Sequence, residues 1–387
     1  MLLHSSRSEN LPQNCLHRTS RHWKRKINIV ILRSLQTLNY RNLEATRVLF
    51  RGGVTAIVGG NGQGKTNVLE AAFLALTGVL DVNRVETVIR LGETEGFVGA
   101  EVERDDGITK VEVGLAPGKK LAKVDGVRVK TADLARHASA VLIRPEDSEL
   151  VHGSPSQRRA FLDALVSRMS PRYGQVLQSY ERVVTQRNAV LKQVNTESWM
   201  LDVWDAKLVE LGSELMRLRR RAVARLKTLS AEAHAVLTGN GKRLELELIE
   251  TARLDDYGAH LLEKQREERA RGSTAVGPHR DDLTIKLDAL FAADYASRGE
   301  ARTIALALRK AEYDLLSEKF REPPVLLIDD FTAELDSSRR EFLLEMAAAA
   351  PQAIVTGTEA PSSASRLYSI SHGALESTQN ALFVGKT

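Results

Sequence analysis

Gly53-Val54-Thr55-Ala56-Ile57-Val58-Gly59-Gly60-Asn61-Gly62-Gln63-Gly64-Lys65-Thr66 is the stretch on which the fold turns. Gly53 to Val58 is a short apolar run of strand length. The next eight residues fit the pattern G-x-x-x-x-G-K-[ST]. Val68, Leu69, Ala72, Phe73 and Leu76 then recur at helical spacing until Gly78 stops the helix. Strand, glycine loop and helix in that order make a phosphate-binding unit. Its glycines permit positive φ and close approach of backbone N–H groups to phosphate, and the helix N-terminus adds roughly half a positive charge. The candidate ATP contacts are Gly59, Gly60, Asn61, Gly62, Gln63, Gly64, Lys65 and Thr66. Lys65 reaches the β- and γ-phosphates, and Thr66 is placed for Mg²⁺.

Toward the C-terminus, Val325-Leu326-Leu327-Ile328 is a second buried strand, and it ends in Asp329-Asp330. Paired carboxylates at that point place one acid on Mg²⁺ and the other beside the attacking water, so Asp329 is the expected metal-side residue and Asp330 the base. Ser297-Arg298-Gly299-Glu300 opens the helix that precedes this strand. In ATP-binding-cassette proteins a Ser-x-Gly-Gln or Ser-x-Gly-Glu element opens such a helix and contacts the γ-phosphate held by the opposite protomer. Ala333-Glu334-Leu335-Asp336 resembles the D-loop that lines the same seam. The order of these elements selects the cassette class over kinases and small GTPases.

Phe97 to Val102, Thr109 to Leu115, Lys120 to Val124 and Val127 to Val129 read as a meander, with Asp125-Gly126 as a hairpin turn. The character changes at Ser154-Pro155-Ser156. One helix is expected over Tyr173 to Val194, with Val176, Tyr180, Val183, Arg187, Val190 and Val194 on one face. Leu208, Leu211, Leu215, Leu218, Ala222, Leu226 and Leu229 mark its partner, which Gly239-Asn240-Gly241 ends, and Asn195 to Ser198 form the tip of the hairpin. The expected fold is therefore α/β, a P-loop cassette-type ATPase head with a mixed sheet, an antiparallel subdomain and an inserted α-helical arm. The expected divisions are a basic tail over 1–26, head segments over 27–155 and 242–387, and the arm over 156–241.

No run of the 387 residues is apolar for the length of a membrane span. The single cysteine, Cys15, excludes an internal disulfide framework and fits a reducing compartment, with cytoplasm the expected location. The formal charge of +5 is carried by residues 1–26, where six basic side chains face one acidic one. That tail is read as disordered and dispensable in preference to a targeting segment. Gln157 to Asn240 holds fourteen Lys or Arg against eight Asp or Glu, so the insert is the basic part of the remainder. Within it Arg217, Arg221 and Arg225 stand at i, i+4 and i+8, a stripe that can track DNA phosphates or simply keep a long helix solvated. Aromatic interleaving and base-reading motifs are missing, so sequence-independent duplex contact is the expectation.

Leu38-Asn39-Tyr40-Arg41-Asn42-Leu43, Arg144-Pro145-Glu146-Asp147, Arg158-Arg159-Ala160-Phe161-Leu162-Asp163, Gln186-Arg187-Asn188 and Gly277-Pro278-His279-Arg280-Asp281-Asp282 together resemble the RecF family. The resemblance runs from Ile27 to the last strand. It implies an SMC-like ATPase head, an arm far shorter than in SMC proteins and an ATP-dependent homodimer. It further implies slow, DNA-stimulated hydrolysis, binding to double-stranded DNA near single-strand gaps, partnership with RecR and indirectly RecO, and help in loading RecA during DNA repair, replication and the SOS response. It also implies adenine contacts near Arg41 and Asn42. The sequence departs from common cassette patterns in having Asp330 for Glu, Thr356-Gly357-Thr358 for a switch histidine, and Arg144 to Asp147 where a glutamine loop is usual. His279 and Arg280 stay open between ligand contact and buried capping. A cassette subunit of a membrane transporter is the alternative function, and a scaffold holding structural ATP a third.

Overall fold

The computed structural model describes residues 29–378, apart from positions 81, 83, 194–196, 198, 240 and 333–335. The basic tail over 1–26, most of the expected hairpin tip and three residues of the D-loop-like segment thus lie outside the described residues.

Three sheets organise the described residues. The central one runs in the order Ala374–Ser377, Arg366–Ser371, Gly53–Val58, Gln352–Gly357, Val325–Ile328, Ala140–Ile143. Every pair in it is parallel except the edge hairpin. Both faces are covered, which is why its strands are continuous apolar runs. Their period-2 alternation divides the interior in two: Ala56, Ile143, Ile328 and Val355 enter one core, while Ile57, Leu142, Leu327 and Ile354 enter the other.

Helix α1 (Lys65–Thr77) packs on the second face together with the antiparallel sheet, whose six strands are Leu43–Leu49, Ile31–Tyr40, Gly96–Arg104, Gly107–Ala116, Lys119–Val124 and Val127–Val129. Asp125 and Gly126 turn the last hairpin with φ of 49° and 80°, the left-handed pair that a tight hairpin needs. Gly78 ends α1 at φ 72°, where a Cβ would stand 2.1 Å from the Thr131 carbonyl oxygen.

The other face carries α2 (Pro155–Met169), α3 (Pro171–Leu191), α4 (Trp199–Thr238), α5 (Tyr257–Arg271), α6 (Arg298–Phe320) and α7 (Ser337–Ala349), with a three-stranded antiparallel sheet of Leu244–Ile249, Asp282–Leu287 and Leu290–Phe291. At 40 residues α4 is roughly 60 Å long. It packs against α3 and along α6, so the arm is rooted on the helix that Ser297 opens. The inward stripe of α4 includes Leu208, Leu215, Ala222, Leu226 and Leu229, all buried. On α3 the buried face is Tyr173, Val176, Tyr180, Val183, Arg187 and Leu191; Val190 is only partly buried, the helix ends at Leu191, and Val194 lies outside the described residues.

Arg187 is fully buried among those apolar residues. Its guanidinium meets Asp205 at 2.6 Å and Glu268 at 2.7 Å. Arg219, 1% exposed, is held by Asp163 at 2.7 Å and donates to the Pro278 carbonyl at 2.6 Å. Buried guanidinium groups at the arm root are tolerable only because each is paired.

Candidate active site

The phosphate loop leaves the strand Gly53–Val58 and enters α1 without a side-chain cap, which leaves the first backbone N–H groups of α1 pointing into the loop. Gly64 sits at φ 111°, and a Cβ there would lie 2.6 Å from Asn42 Oδ1. The loop is braced from behind. Asn42 Nδ2 donates to the Gln63 carbonyl at 3.0 Å, and Asn42 Oδ1 accepts from Asn67 Nδ2 at 2.7 Å. The backbone N–H of Gly373 also donates to the Gln63 carbonyl, at 2.9 Å. Asn42 thus stands against the loop as a positioning residue, beside an open groove of about 830 Å³ that Arg41, Asn42, Gly62, Thr87, Arg90 and His372 line. Lys65, 7% exposed, folds over the loop and donates to the Gly59 and Gly60 carbonyls at 2.8 and 2.9 Å.

Two residues of the loop-and-acid pair predicted from sequence meet directly. Thr66 Oγ1 donates to Asp329 Oδ2 at 2.7 Å. The other oxygen, Asp329 Oδ1, accepts from Thr356 Oγ1 at 2.6 Å, and Thr356 Oγ1 accepts in turn from the backbone N–H of Asp330 at 2.9 Å. Asp330 is held at φ 46°, left-handed backbone that a non-glycine residue adopts at a cost, and its carboxylate accepts from Thr332 Oγ1 at 2.8 Å. Thr356, fully buried at the end of its strand, therefore fixes both acids. In the sequence Thr356 stands out only as part of Thr356-Gly357-Thr358, where a switch histidine is common.

The loop Arg144 to Asp147 joins Asp329, Asp330, Arg302 and Leu306 around a cavity of about 40 Å³. Its Asp147 is buried and accepts a bidentate pair from Arg309 of α6 at 2.9 and 2.6 Å. Arg309 also reaches Glu312 at 2.7 Å, and Glu312 pairs with Arg168 of α2. A chain of charges thus ties the loop Arg144 to Asp147 to α6, the helix behind Ser297, and on to α2. Asp147 and Arg309 lie 162 positions apart, and the only local signal is that Asp147 closes a capping box with Arg144.

Ser297 is the N-cap of α6. Its Oγ accepts from the Glu300 backbone N–H at 3.2 Å, and the Ser297 backbone N–H donates in turn to the Glu300 carboxylate at 2.8 Å. Lys242 and these serine bonds hold the Glu300 carboxyl down to about 2. Ser297 itself is exposed. Arg217, Arg221 and Arg225 are exposed on one face of α4, and Arg225 pairs with Glu318 at 2.5 Å. His279 is half-buried and Arg280 is exposed; both reach the Thr274 carbonyl, and His279 Nδ1 meets Tyr180 OH at 2.8 Å. Burial lowers the His279 pKa to about 4.

Comparison with known proteins places this geometry. The family model for the RecF/RecN/SMC N terminal domain matches residues 31–375. The DNA replication and repair protein RecF of Deinococcus deserti is 58% identical over 328 residues, covering 85% of this chain and 90% of that protein. The chain belongs to the RecF family. RecF of Deinococcus radiodurans is 57% identical over 330 residues, 85% of this chain and 91% of that protein. A solved structure of the recombination mediator RecF with ATP superposes at a TM-score of 0.86 with 28% identity, over 92% of this chain and all of that one. The Smc head domain of Pyrococcus furiosus superposes at 0.51 with 16% identity, over 90% of this chain and 96% of that one, which speaks for the fold alone. RecF membership favours the recombination reading over a transporter subunit. Among the described residues no helix is long and apolar enough to cross a membrane.

Proposed function

We propose that this RecF-family chain is an ATPase that works as a switch in recombinational repair. ATP joins two copies, the pair grips double-stranded DNA near a single-strand gap, and slow hydrolysis lets go. The observation that carries the reading is the convergence of Thr66, Asp329, Thr356 and Asp330 beside a braced phosphate loop, with the exposed Ser297 cap on a separate helix.

The Thr66 hydroxyl and the Asp329 carboxylate, 2.7 Å apart, are hard oxygen donors that fit Mg²⁺. No group of three or more His, Cys, Asp or Glu among the described residues could hold a metal, so nucleotide oxygens and water would complete the shell. Mg²⁺ bound there would neutralise phosphate charge. In this reading Lys65 leaves the Gly59 and Gly60 carbonyls for the β- and γ-phosphates, and Asp330 orients the attacking water. Ser297 of the second copy completes the site, and Glu300 holds that serine in place.

On the arm, Arg217, Arg221 and Arg225 are the candidate phosphate contacts. The partners that go with the reading are RecR, then RecO and RecA, with hydrolysis stimulated by DNA. The test is Lys65→Met. It abolishes binding of a fluorescent ATP analogue, and retained binding at wild-type affinity would overturn the nucleotide assignment.

A further inference from the structure

The insert owes much of its basic excess to arginines that are already engaged. Arg172 pairs with Glu214, Arg187 with Glu268, Arg219 with Asp163, Arg220 with Glu250 and Arg225 with Glu318. A different surface holds cations that are not. On the last hairpin of the antiparallel sheet Lys119, Lys123, Arg128 and Lys130 are all exposed, and none is in an ion pair with a described residue. Lys123 stands opposite Arg128 across the two strands, so both project from one face, which Lys119 and the half-exposed Leu121 continue. Glu112 is the cross-strand neighbour of Lys123, and it makes no ion pair with it. At strand rise Lys119 and Lys123 are about 13 Å apart, a length over which one DNA strand presents about four phosphates.

The hairpin is also tied to the nucleotide side of the molecule. The backbone N–H of Gly118 donates to Glu86 Oε1 at 2.6 Å, and Glu86 lines the open groove beside the phosphate loop. Lys120, turned inward, donates to the Gly78 carbonyl at the C-terminus of α1 at 3.2 Å. Burial lowers the Lys120 pKa. The start of the strand that carries Lys119 and Lys123 is therefore anchored both to the groove wall and to the phosphate-loop helix.

We infer that this hairpin is a second contact surface for duplex DNA, separate from the arm, which binds phosphates through Lys119, Lys123, Arg128 and Lys130. The inference rests on the DNA-binding reading above. It assigns the contact to unpaired side chains that sequence spacing did not single out.

Fluorescence anisotropy of a short labelled duplex, with ATP·Mg²⁺ and over a range of KCl, tests it on the full chain. Lys119→Gln/Lys123→Gln/Arg128→Gln weakens binding about tenfold and flattens the plot of log K against log salt by about 2.7, three phosphate contacts' worth. Its affinity for a fluorescent ATP analogue stays at the wild-type value. The single variant Lys123→Gln, with about a third of the slope change, serves if the triple variant misfolds. A hairpin variant that binds duplex with wild-type affinity and slope overturns the inference, and so does a loss confined to Arg217→Gln/Arg221→Gln/Arg225→Gln. Failure of the wild type itself to bind the duplex would instead refute the reading on which the inference stands.

Discussion

Thr356→Val probes the arrangement of the two acids with little change of shape. Valine keeps the branched side chain and removes only the hydroxyl, which is fully buried and makes two bonds. The bond to the Asp329 carboxylate is charge-assisted, and its loss costs about 1.5–3 kcal/mol. Orphaning the Asp330 N–H adds about 1–3 kcal/mol. Asp329 keeps its bond from Thr66, so the loss is partial, and about 3–5 kcal/mol is the expected total. At roughly 2.1 cal/mol/K per residue, some 350 residues melting as one unit carry about 0.7 kcal/mol/K, so Tm falls by about 4–7 °C. Differential scanning fluorimetry without nucleotide reads this directly. Thr356→Ser, which keeps the hydroxyl, stays within about 2 °C of wild type. Turnover of ATP falls about tenfold or more in the valine variant, because Asp330 at φ 46° loses the anchor of its backbone. A valine variant that melts with wild type and hydrolyses ATP at the wild-type rate would refute the role given to Thr356.

Two further substitutions test the charge chains. Arg309→Met leaves Asp147 buried without its bidentate partner and costs about 3–5 kcal/mol in urea unfolding, whereas Arg309→Lys recovers only part of that; a methionine variant as stable as wild type would contradict the network. His279 is neutral in the folded chain down to about 4 but takes up a proton near 6.5 once unfolded, so its contribution is complete above 6.5 and is lost as pH falls toward 4. Asp281, pushed up to about 6 by burial, acts in the opposite sense between 3.8 and 6. The difference between wild type and His279→Gln isolates the histidine: the gap in stability should shift in the variant's favour from pH 6.5 to 4.5, and a constant gap would refute the assignment.

Much of this architecture was legible because the residues that decide it act locally. The phosphate loop needs Gly64 where a Cβ would strike Asn42, the hairpin needs Asp125-Gly126, and α6 needs Ser297 and Glu300 to close its first turn. The alternation in Val325-Leu326-Leu327-Ile328 serves two cores at once, so it appeared as an unbroken apolar run. What stayed hidden depends on partners far along the chain. Arg187 reads as a helix-face residue and Arg219 only as one of the insert's many basic side chains, yet both are buried, because Glu268 and Asp163 come to meet them from other elements. Thr356 resembles any β-branched residue at a strand end, and its role shows only when Asp329, on the neighbouring strand, lies beside it. Arg217, Arg221 and Arg225, spaced along one helical stripe in the sequence, are all exposed on α4. Pairing of Arg225 with Glu318 of α6 could not be read from helical spacing.

The central claim is that ATP builds a composite site from two copies, with Ser297 of one facing the phosphate loop of the other. Light scattering of the full chain, with and without ATP·Mg²⁺, on wild type, Ser297→Arg and the cap-preserving Ser297→Asn, measures this most directly. The account predicts a mass that doubles only with ATP in the wild type and stays monomeric in Ser297→Arg, although that variant still binds the nucleotide. A mass indifferent to ATP, or a Ser297→Arg chain that doubles as the wild type does, would contradict it.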